Sequence, residues 1–166
     1  MTTNRTQMEL VGERELVITR TFRAPAQIVF DAWTQPELVK RWWAPRSRGV
    51  SVVECTAEVK PGGAWRYVLA RGAGEPFAFS GKYLEIERGK RLVYTNWFEA
   101  IPGAEVTVTV TLEEKDGATT LVAREIYPSK EARDAALATG MESGMRETIE
   151  QLDELVASLA AGKPVS

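Results

Sequence analysis

Apolar and polar side chains alternate along most of the middle of the chain, which is the period expected of half-buried β-strands. In the clearest run, residues 106–112, valines and a leucine alternate strictly with threonines. Glycine-containing turn signals separate the runs, and Asp116-Gly117 is the pair that a tight type I′ hairpin favours. Connections this short join antiparallel neighbours, so the pattern predicts a meander. The predicted strands are 50–60, 64–71, 76–87, 90–98, 104–114 and 118–127.

The segments before this meander predict one more strand and two short helices. Residues 14–23 alternate in the same way and predict the first strand, after a loose polar segment at 1–13. Pro25 suits the first turn of a helix. Thr34 and Glu37 have the spacing of a capping box, which would begin a second short helix. The expected sheet therefore has seven strands.

The C-terminal segment has the pattern of an amphipathic helix. Ser129 is a suitable N-cap, and Gly140 predicts a break or kink. Apolar side chains then repeat at helical spacing at Met141, Met145, Ile149, Leu152, Val156 and Leu159. Residues 160–166 are expected to form a loose polar tail. Together the elements predict an α+β fold in which the long C-terminal helix lies over a curved, seven-stranded antiparallel sheet.

Composition limits the classes of partner. The 166 residues predict a single domain, 1–166, with a core at about 14–159. The 21 basic and 23 acidic residues are interspersed, which argues against a nucleic-acid partner. No run approaches the roughly 20 apolar residues of a membrane-inserted helix. Cys55 is the single cysteine, so an internal disulfide is excluded and a cytoplasmic location is expected.

The chain contains no histidine. This removes the commonest general base, the usual catalytic triads and most transition-metal sites. No metal and no cofactor are therefore expected, and no catalytic constellation stands out. The sequence favours a binding protein over an enzyme.

Six short motifs, in this order, resemble the SRPBCC or START-like superfamily. They are Phe22-Arg23-Ala24-Pro25, Trp33-Thr34-Gln35-Pro36-Glu37, Arg41-Trp42-Trp43-Ala44-Pro45, Pro61-Gly62-Gly63, Gly81-Lys82-Tyr83-Leu84-Glu85-Ile86 and the run from Glu131 to Met145. Within it, the chain resembles the branch named for the C-terminal domain of the activator of the ninety-kilodalton heat-shock chaperone ATPase. The resemblance implies a helix-grip fold with a deep cavity between the sheet and the last helix. The superfamily includes carriers of lipids and other hydrophobic ligands, polyketide cyclases and the co-chaperone domain.

Aromatic and methionine side chains are expected to line that cavity, since such residues suit an adaptable apolar pocket. The alternative for each side chain is that it only fills the core. The candidate ligand-binding residues are Trp43, Trp65, Tyr67, Phe79, Tyr94, Trp97, Glu125, Tyr127, Met141 and Met145.

Arg20 and Glu125 fall in the apolar phase of the first and last strands. In the START-like fold these strands are neighbours, so the two residues could pair. With Tyr127 nearby, the pair could orient a polar ligand group or supply acid–base chemistry. The alternatives are a structural ion pair, or a register break that exposes both residues.

Three further features have competing interpretations. Gly140 and Gly144, four residues apart, could admit a ligand to the helix backbone or allow close packing. Glu54 and Glu58 share a strand face, and a solvated outer face is the favoured interpretation over a catalytic or metal-binding pair. Cys55 and Val53 then belong to the inward face, where the thiol is a small buried hydrophobe.

The leading hypothesis is a protein that binds a hydrophobic or aromatic small molecule between sheet and helix. One alternative is a chaperone-accessory interaction module, for which an exposed apolar patch at residues 41–48 would be the sign. Another is a cyclase or hydrolase that acts in the same pocket through Glu125. The family resemblance is also compatible with a homodimer.

Overall fold

Eight antiparallel strands form one sheet in the computed structural model, which describes residues 6–101 and 105–162. The strands are β1 (Gln7–Val11), β2 (Glu15–Phe22), β3 (Val50–Ala57), β4 (Ala64–Arg71), β5 (Phe77–Glu87), β6 (Arg91–Phe98), β7 (Val106–Lys115) and β8 (Ala118–Ile126). Their order across the sheet is β1-β2-β8-β7-β6-β5-β4-β3. The six-strand meander and the pairing of the first predicted strand with the last are thus confirmed.

The predicted count of seven strands is wrong, because residues 7–11 form β1 instead of a loose lead-in. This strand pairs with β2 from Gln7 opposite Thr19 to Val11 opposite Glu15. It is an edge strand whose side chains are almost all exposed, Leu10 and Val11 included. Backbone hydrogen bonds to β2 hold it in place, so its sequence carries no alternating apolar signal.

Four α-helices accompany the sheet in the described ranges: α1 (Ala26–Thr34), α2 (Pro36–Val39), α3 (Lys130–Ala138) and α4 (Met141–Ala160). The predicted capping box is wrong, because Thr34 is the last residue of α1. Its buried hydroxyl donates to the Phe30 carbonyl at 2.8 Å, and no side chain caps α2. Within the described residues no helix is long and apolar enough to cross a bilayer.

The predicted start and break of the C-terminal segment are confirmed. The Ser129 hydroxyl accepts the Ala132 N–H at 3.1 Å and caps α3. Gly140 separates α3 from α4 with a φ of +79°, a left-handed conformation that favours glycine. Helix α4 continues to Ala160, and residues 163–166 of the expected tail lie outside the described residues.

A tightly packed core fills the space between α1, α2, the second half of α4 and the sheet. Its fully buried members include Phe22, Phe30, Leu92, Leu121, Leu152 and Val156. The buried Gln151 fixes α4 to the chain after α2, since its amide donates to the carbonyls of Trp42 and Ala44 and accepts the Arg46 N–H. We call this the filled half.

Two irregularities shape the strands. The β3–β4 register shifts between Val52 and Glu54, which leaves Val53 51% exposed and corrects its expected inward position. Glu54 and Glu58 are exposed, as expected. In β5, Gly81 leaves room for the indole N–H of Trp65 to donate to the Thr95 carbonyl at 3.1 Å. A Cβ at Gly81 would lie 1.8 Å from that same oxygen, so glycine is required there.

Candidate ligand-binding cavity

A cavity of about 540 Å³ lies between the sheet, α3 and the first half of α4. It remains partly because α3 presents only small side chains to the sheet, namely Ala132, Ala135 and Ala136. The first half of α4 contributes Gly144 together with Met141 and Met145. We call this the open half.

Apolar side chains form most of the cavity wall. The rings of Phe79 and Phe98 stack at 4.9 Å, and Trp43 meets Phe79 edge-on at 5.1 Å. The other apolar residues of the wall include Ile18, Val50, Leu69, Phe77, Val106, Val108, Ala123, Met141, Met145 and Ile149. Such a wall suits a ligand that is itself apolar or aromatic.

Four polar side chains, apart from Arg71 at the end of β4, lie on or next to the sheet at two separate places in this wall. Glu125 and Tyr127 belong to β8 and its end, whereas Tyr94 and Asn96 belong to β6. Between them runs β7, whose Val108 pairs with both Tyr94 and Glu125. Because neighbouring strands lie about 4.8 Å apart, the backbones that carry the two polar places are roughly 10 Å apart, with the valines of β7 between them.

Glu125 is a carboxyl inside the cavity without a basic partner among the described residues. Its surroundings raise the pKa to about 7, mainly because burial disfavours the charged form. A hydrogen bond from the Tyr127 hydroxyl at 3.0 Å opposes this rise. The group therefore titrates near neutral pH, which suits either acid–base chemistry or recognition of a polar ligand group.

The second polar place offers free hydrogen-bonding capacity. Burial is the main cause that raises the pKa of Tyr94, whose hydroxyl accepts the Trp33 indole N–H at 3.3 Å. The hydroxyl proton of Tyr94 thus stays available for donation. The buried Oδ1 atom of Asn96 has no hydrogen-bond partner among the described residues. A ligand that donates to this oxygen would satisfy it.

The structure brings seven of the ten sequence-predicted residues to the cavity. These are Trp43, Phe79, Tyr94, Glu125, Tyr127, Met141 and Met145. They come from the loop after α2, three strands of the sheet, the segment after β8 and α4, so the fold gathers side chains that are far apart in the sequence.

Three predicted residues lie elsewhere. Trp65 and Tyr67 are buried in an aromatic cluster beside the cavity, with ring centroids 4.6 Å apart. The gap that this cluster encloses has a volume of only about 10 Å³. Trp97 has the opposite phase to Tyr94 and Asn96 on β6, and its indole donates to the Ile101 carbonyl.

The expected pairing of Arg20 with Glu125 is wrong. Arg20 lies opposite Leu121 in the register, four positions along β8 from Glu125. Its guanidinium instead forms ion pairs with Glu150 and Asp153 of α4. Arg20 therefore fastens the helix to the sheet and does not line the cavity.

Sequence reasoning missed Asn96, Arg48 and Arg71, which also line the cavity. Asn96 had a detectable signal, since it shares the phase of Tyr94 and Phe98. The two arginines had none, because one lies in the 3₁₀ turn Arg46–Arg48 and the other ends β4.

Metal-binding and cysteine chemistry have little support in the described part of the chain. No cluster of three or more acidic or cysteine side chains there could hold a metal ion. Burial raises the pKa of the Cys55 thiol to about 11, which keeps it in the unreactive thiol form.

Comparisons with known proteins agree with this architecture. Residues 23–157 match the family model described as Activator of Hsp90 ATPase homolog 1-like protein. No curated protein matched the chain.

Solved structures give the same fold. A protein from Rhodobacter sphaeroides is 29% identical, with a TM-score of 0.84 over 93% of this chain and 99% of that one. Protein NE0264 from Nitrosomonas europaea is 29% identical, with a TM-score of 0.80 over 92% and 99% of the two chains. A protein from Arthrobacter aurescens, 24% identical with a TM-score of 0.81 over 92% and 91%, shares the fold. Because the family model matches most of its length, this chain belongs to the Activator of Hsp90 ATPase homolog 1-like protein family, as its motifs indicated.

Proposed function

We propose that this protein binds an apolar or aromatic small molecule in the cavity of the open half. The observation that carries the proposal is a cavity of about 540 Å³ in a molecule whose other half is densely packed. Ligand pockets have volumes of about 300 to 1,000 Å³, so the space suits one small ligand. Burial of its apolar surface would drive binding at about 25 cal/mol per Å².

The polar side chains give this ligand an orientation. Its apolar body would lie over Val106 and Val108, which separate the two polar places. A polar substituent would reach Glu125 and Tyr127 on one side or Tyr94 and Asn96 on the other. The expected ligand is therefore elongated or fused-ring, with few polar groups.

Two measurements test the proposal. Native mass spectrometry of the freshly purified protein should reveal a bound small molecule. Titration with the neutral fluorescent probe phenylnaphthylamine should show saturable binding that Ala136→Phe weakens at least tenfold, because the new ring occupies the cavity. The matched control is Ala138→Phe on the exposed side of α3, which should bind as the parent does. Undiminished binding by Ala136→Phe would contradict the proposal.

A cyclase or hydrolase activity is the second candidate. It is favoured by one observation, the cavity carboxyl Glu125 with a pKa of about 7. Such a group can take or give a proton at neutral pH. If a substrate screen finds turnover, Glu125→Gln should abolish it, and unchanged turnover would exclude this role.

The chaperone-accessory alternative lacks its expected sign. In the segment 41–48, Trp42 is 3% exposed and Trp43 faces the cavity, so the expected apolar patch is not there. Association with a chaperone stays a prediction from the family, and a pull-down tests it. A single helix-grip domain, a cytoplasmic location and a homodimer likewise stay predictions.

A further inference from the structure

We propose that the ligand is an amphipathic anion, whose acidic head group binds Arg48 and Arg71 at the rim while its apolar part enters the cavity. This inference rests on the proposed function and names the class of ligand. It depends on where the charged residues of the cavity lie.

The rim is defined by the cavity residues that are exposed to solvent. They are Arg48, Arg71, Ile101, Ala135 and Thr139. Both arginines of the cavity are thus at its opening, whereas its carboxyl, Glu125, stands on the floor. An anionic head group is favoured at the opening and disfavoured beside Glu125, so the charges set the direction in which the ligand enters.

Arg48 is held in place by the junction of α3 and α4. Its Nη2 donates to the Gly140 carbonyl at 3.0 Å and to the Ser143 hydroxyl at 2.6 Å. The guanidinium lies against Gly144, where an added Cβ would come within 3.2 Å of Nη1. The absence of a side chain at this helix position therefore makes room for the arginine.

Arg71 is linked to Arg48. Its Nε donates to the Arg48 carbonyl at 3.0 Å, which leaves the two terminal nitrogens of Arg71 on the rim. Among the described ion pairs, none joins either arginine to a carboxylate. Glu147 feels the charge of Arg48, but its carboxylate accepts from the backbone and hydroxyl of Ser47.

Guanidinium groups can donate two N–H hydrogen bonds to two oxygens of a carboxylate or sulfonate. Two of them at the opening of an apolar cavity recognise one end of a ligand whose remainder is apolar. The alternative is that the arginines only fasten the 3₁₀ turn to α4, in which case their loss would affect every ligand equally.

Two probes with nearly the same rings separate these interpretations. Anilinonaphthalene sulfonate carries an anionic group, and phenylnaphthylamine does not. We expect the sulfonate probe to bind the wild-type protein at least fivefold more tightly at low salt, and added salt to weaken this probe alone. Arg71→Gln and the Arg48→Gln/Arg71→Gln double variant should reduce its affinity about tenfold or more, with the neutral probe changed less than twofold.

Two further variants provide the controls, one that removes a positive charge elsewhere and one that keeps the charge at position 71. Arg66→Gln, on the same strand as Arg71 and paired with Glu99, should leave both probes unaffected. Arg71→Lys should retain most of the preference for the sulfonate. Thermal unfolding of each variant shows whether it folds. If the double variant does not fold, the test depends on Arg71→Gln, which loses only one hydrogen bond.

Each outcome decides the matter. A parallel loss of both probes in the folded Arg71→Gln variant, or equal affinity of the two probes for the wild type, overturns the anion site while leaving the cavity proposal intact. Failure of both probes to bind, together with no co-purified molecule, overturns the proposed function and this inference with it.

Discussion

The two halves of the space between sheet and helices differ in how the same helix is used. In the filled half, α4 presents Leu152 and Val156, both 0% exposed, against large side chains of α1 and the sheet. One gap there has a volume of about 10 Å³, roughly the space of one water-sized sphere. In the open half, α3 presents three alanines and the first half of α4 presents Gly144 and two methionines, and side chains leave about 540 Å³ unfilled.

The difference teaches that side-chain size along the covering helices, smallest on α3, helps to decide where a cavity remains. Close packing is the normal condition of protein interiors, so an unfilled half costs dispersion energy. The filled half supplies the stability that tolerates this cost. Stability and ligand binding are therefore expected to depend on different residues of one helix.

The largest expected effect tests the difference in stability between the two halves, using two substitutions in α4. Leu152→Ala should lower the free energy of unfolding by about 2 to 5 kcal/mol, because it empties a close-packed site. Met145→Ala, about two turns away on the same helix, borders existing space and should cost less than about half as much. Chemical denaturation measures both, and equal losses would show that the halves do not differ energetically.

The next effect is a pH dependence of stability that comes from Glu125 in the open half. The pKa of Glu125 is raised from 4.5 to about 7, so the folded protein holds its proton longer than the unfolded chain. The carboxyl contributes stability that is complete below about pH 4.5 and lost as pH rises to about 7. Glu125→Gln should remove this pH dependence. The free energy of unfolding of the variant relative to the parent protein should therefore be higher at pH 8 than at pH 4 by up to about 3 kcal/mol.

Denaturation curves at pH 4 and pH 8 measure this effect. Glu54→Gln, which removes an exposed carboxylate instead, is the control for the loss of one negative charge. If Glu125→Gln kept the pH dependence of the parent protein, Glu125 would not be the buried titrating group.

The smallest effect concerns helix α3, which covers the open half. Ser129→Ala removes the hydroxyl that caps α3 and should cost about 1 kcal/mol. Because α3 covers the cavity, hydrogen exchange should rise in α3 and leave the filled half unchanged. Ser158→Ala, in the last turn of α4 and not at a helix N-cap, is the control and should be nearly neutral. Equal exchange throughout the protein would mean that α3 does not open separately.

Local patterns predicted most of the fold for a physical reason that particular elements show. The strict alternation at residues 106–112 and the cap at Ser129 each depend on neighbours in the sequence, and both are confirmed. Strand β1 was not predicted, because an exposed edge strand needs only backbone hydrogen bonds and no alternating apolar pattern. The capping box at Thr34 failed because the hydroxyl had a carbonyl of its own helix to bond.

The site was only half predictable. Side chains such as Tyr94 and Tyr127 could be assigned to the interior from their phase, but phase does not distinguish a cavity wall from the solid cluster that holds Trp65 and Tyr67. Ion-pair partners were even harder to predict from the sequence. Arg20 pairs with Glu150 and Asp153, residues more than a hundred positions away.

The sequence by itself determined the strands other than β1, the helix break at Gly140, most of the apolar faces and the family, because each follows from local spacing or from recognisable motifs. Only the tertiary structure decided that side chains fill one half and leave a cavity in the other, that Glu125 has no basic partner among the residues the structure describes, and that Arg48 and Arg71 meet at the rim. These properties depend on volumes and distances between segments that are remote along the chain, and no local pattern encodes them.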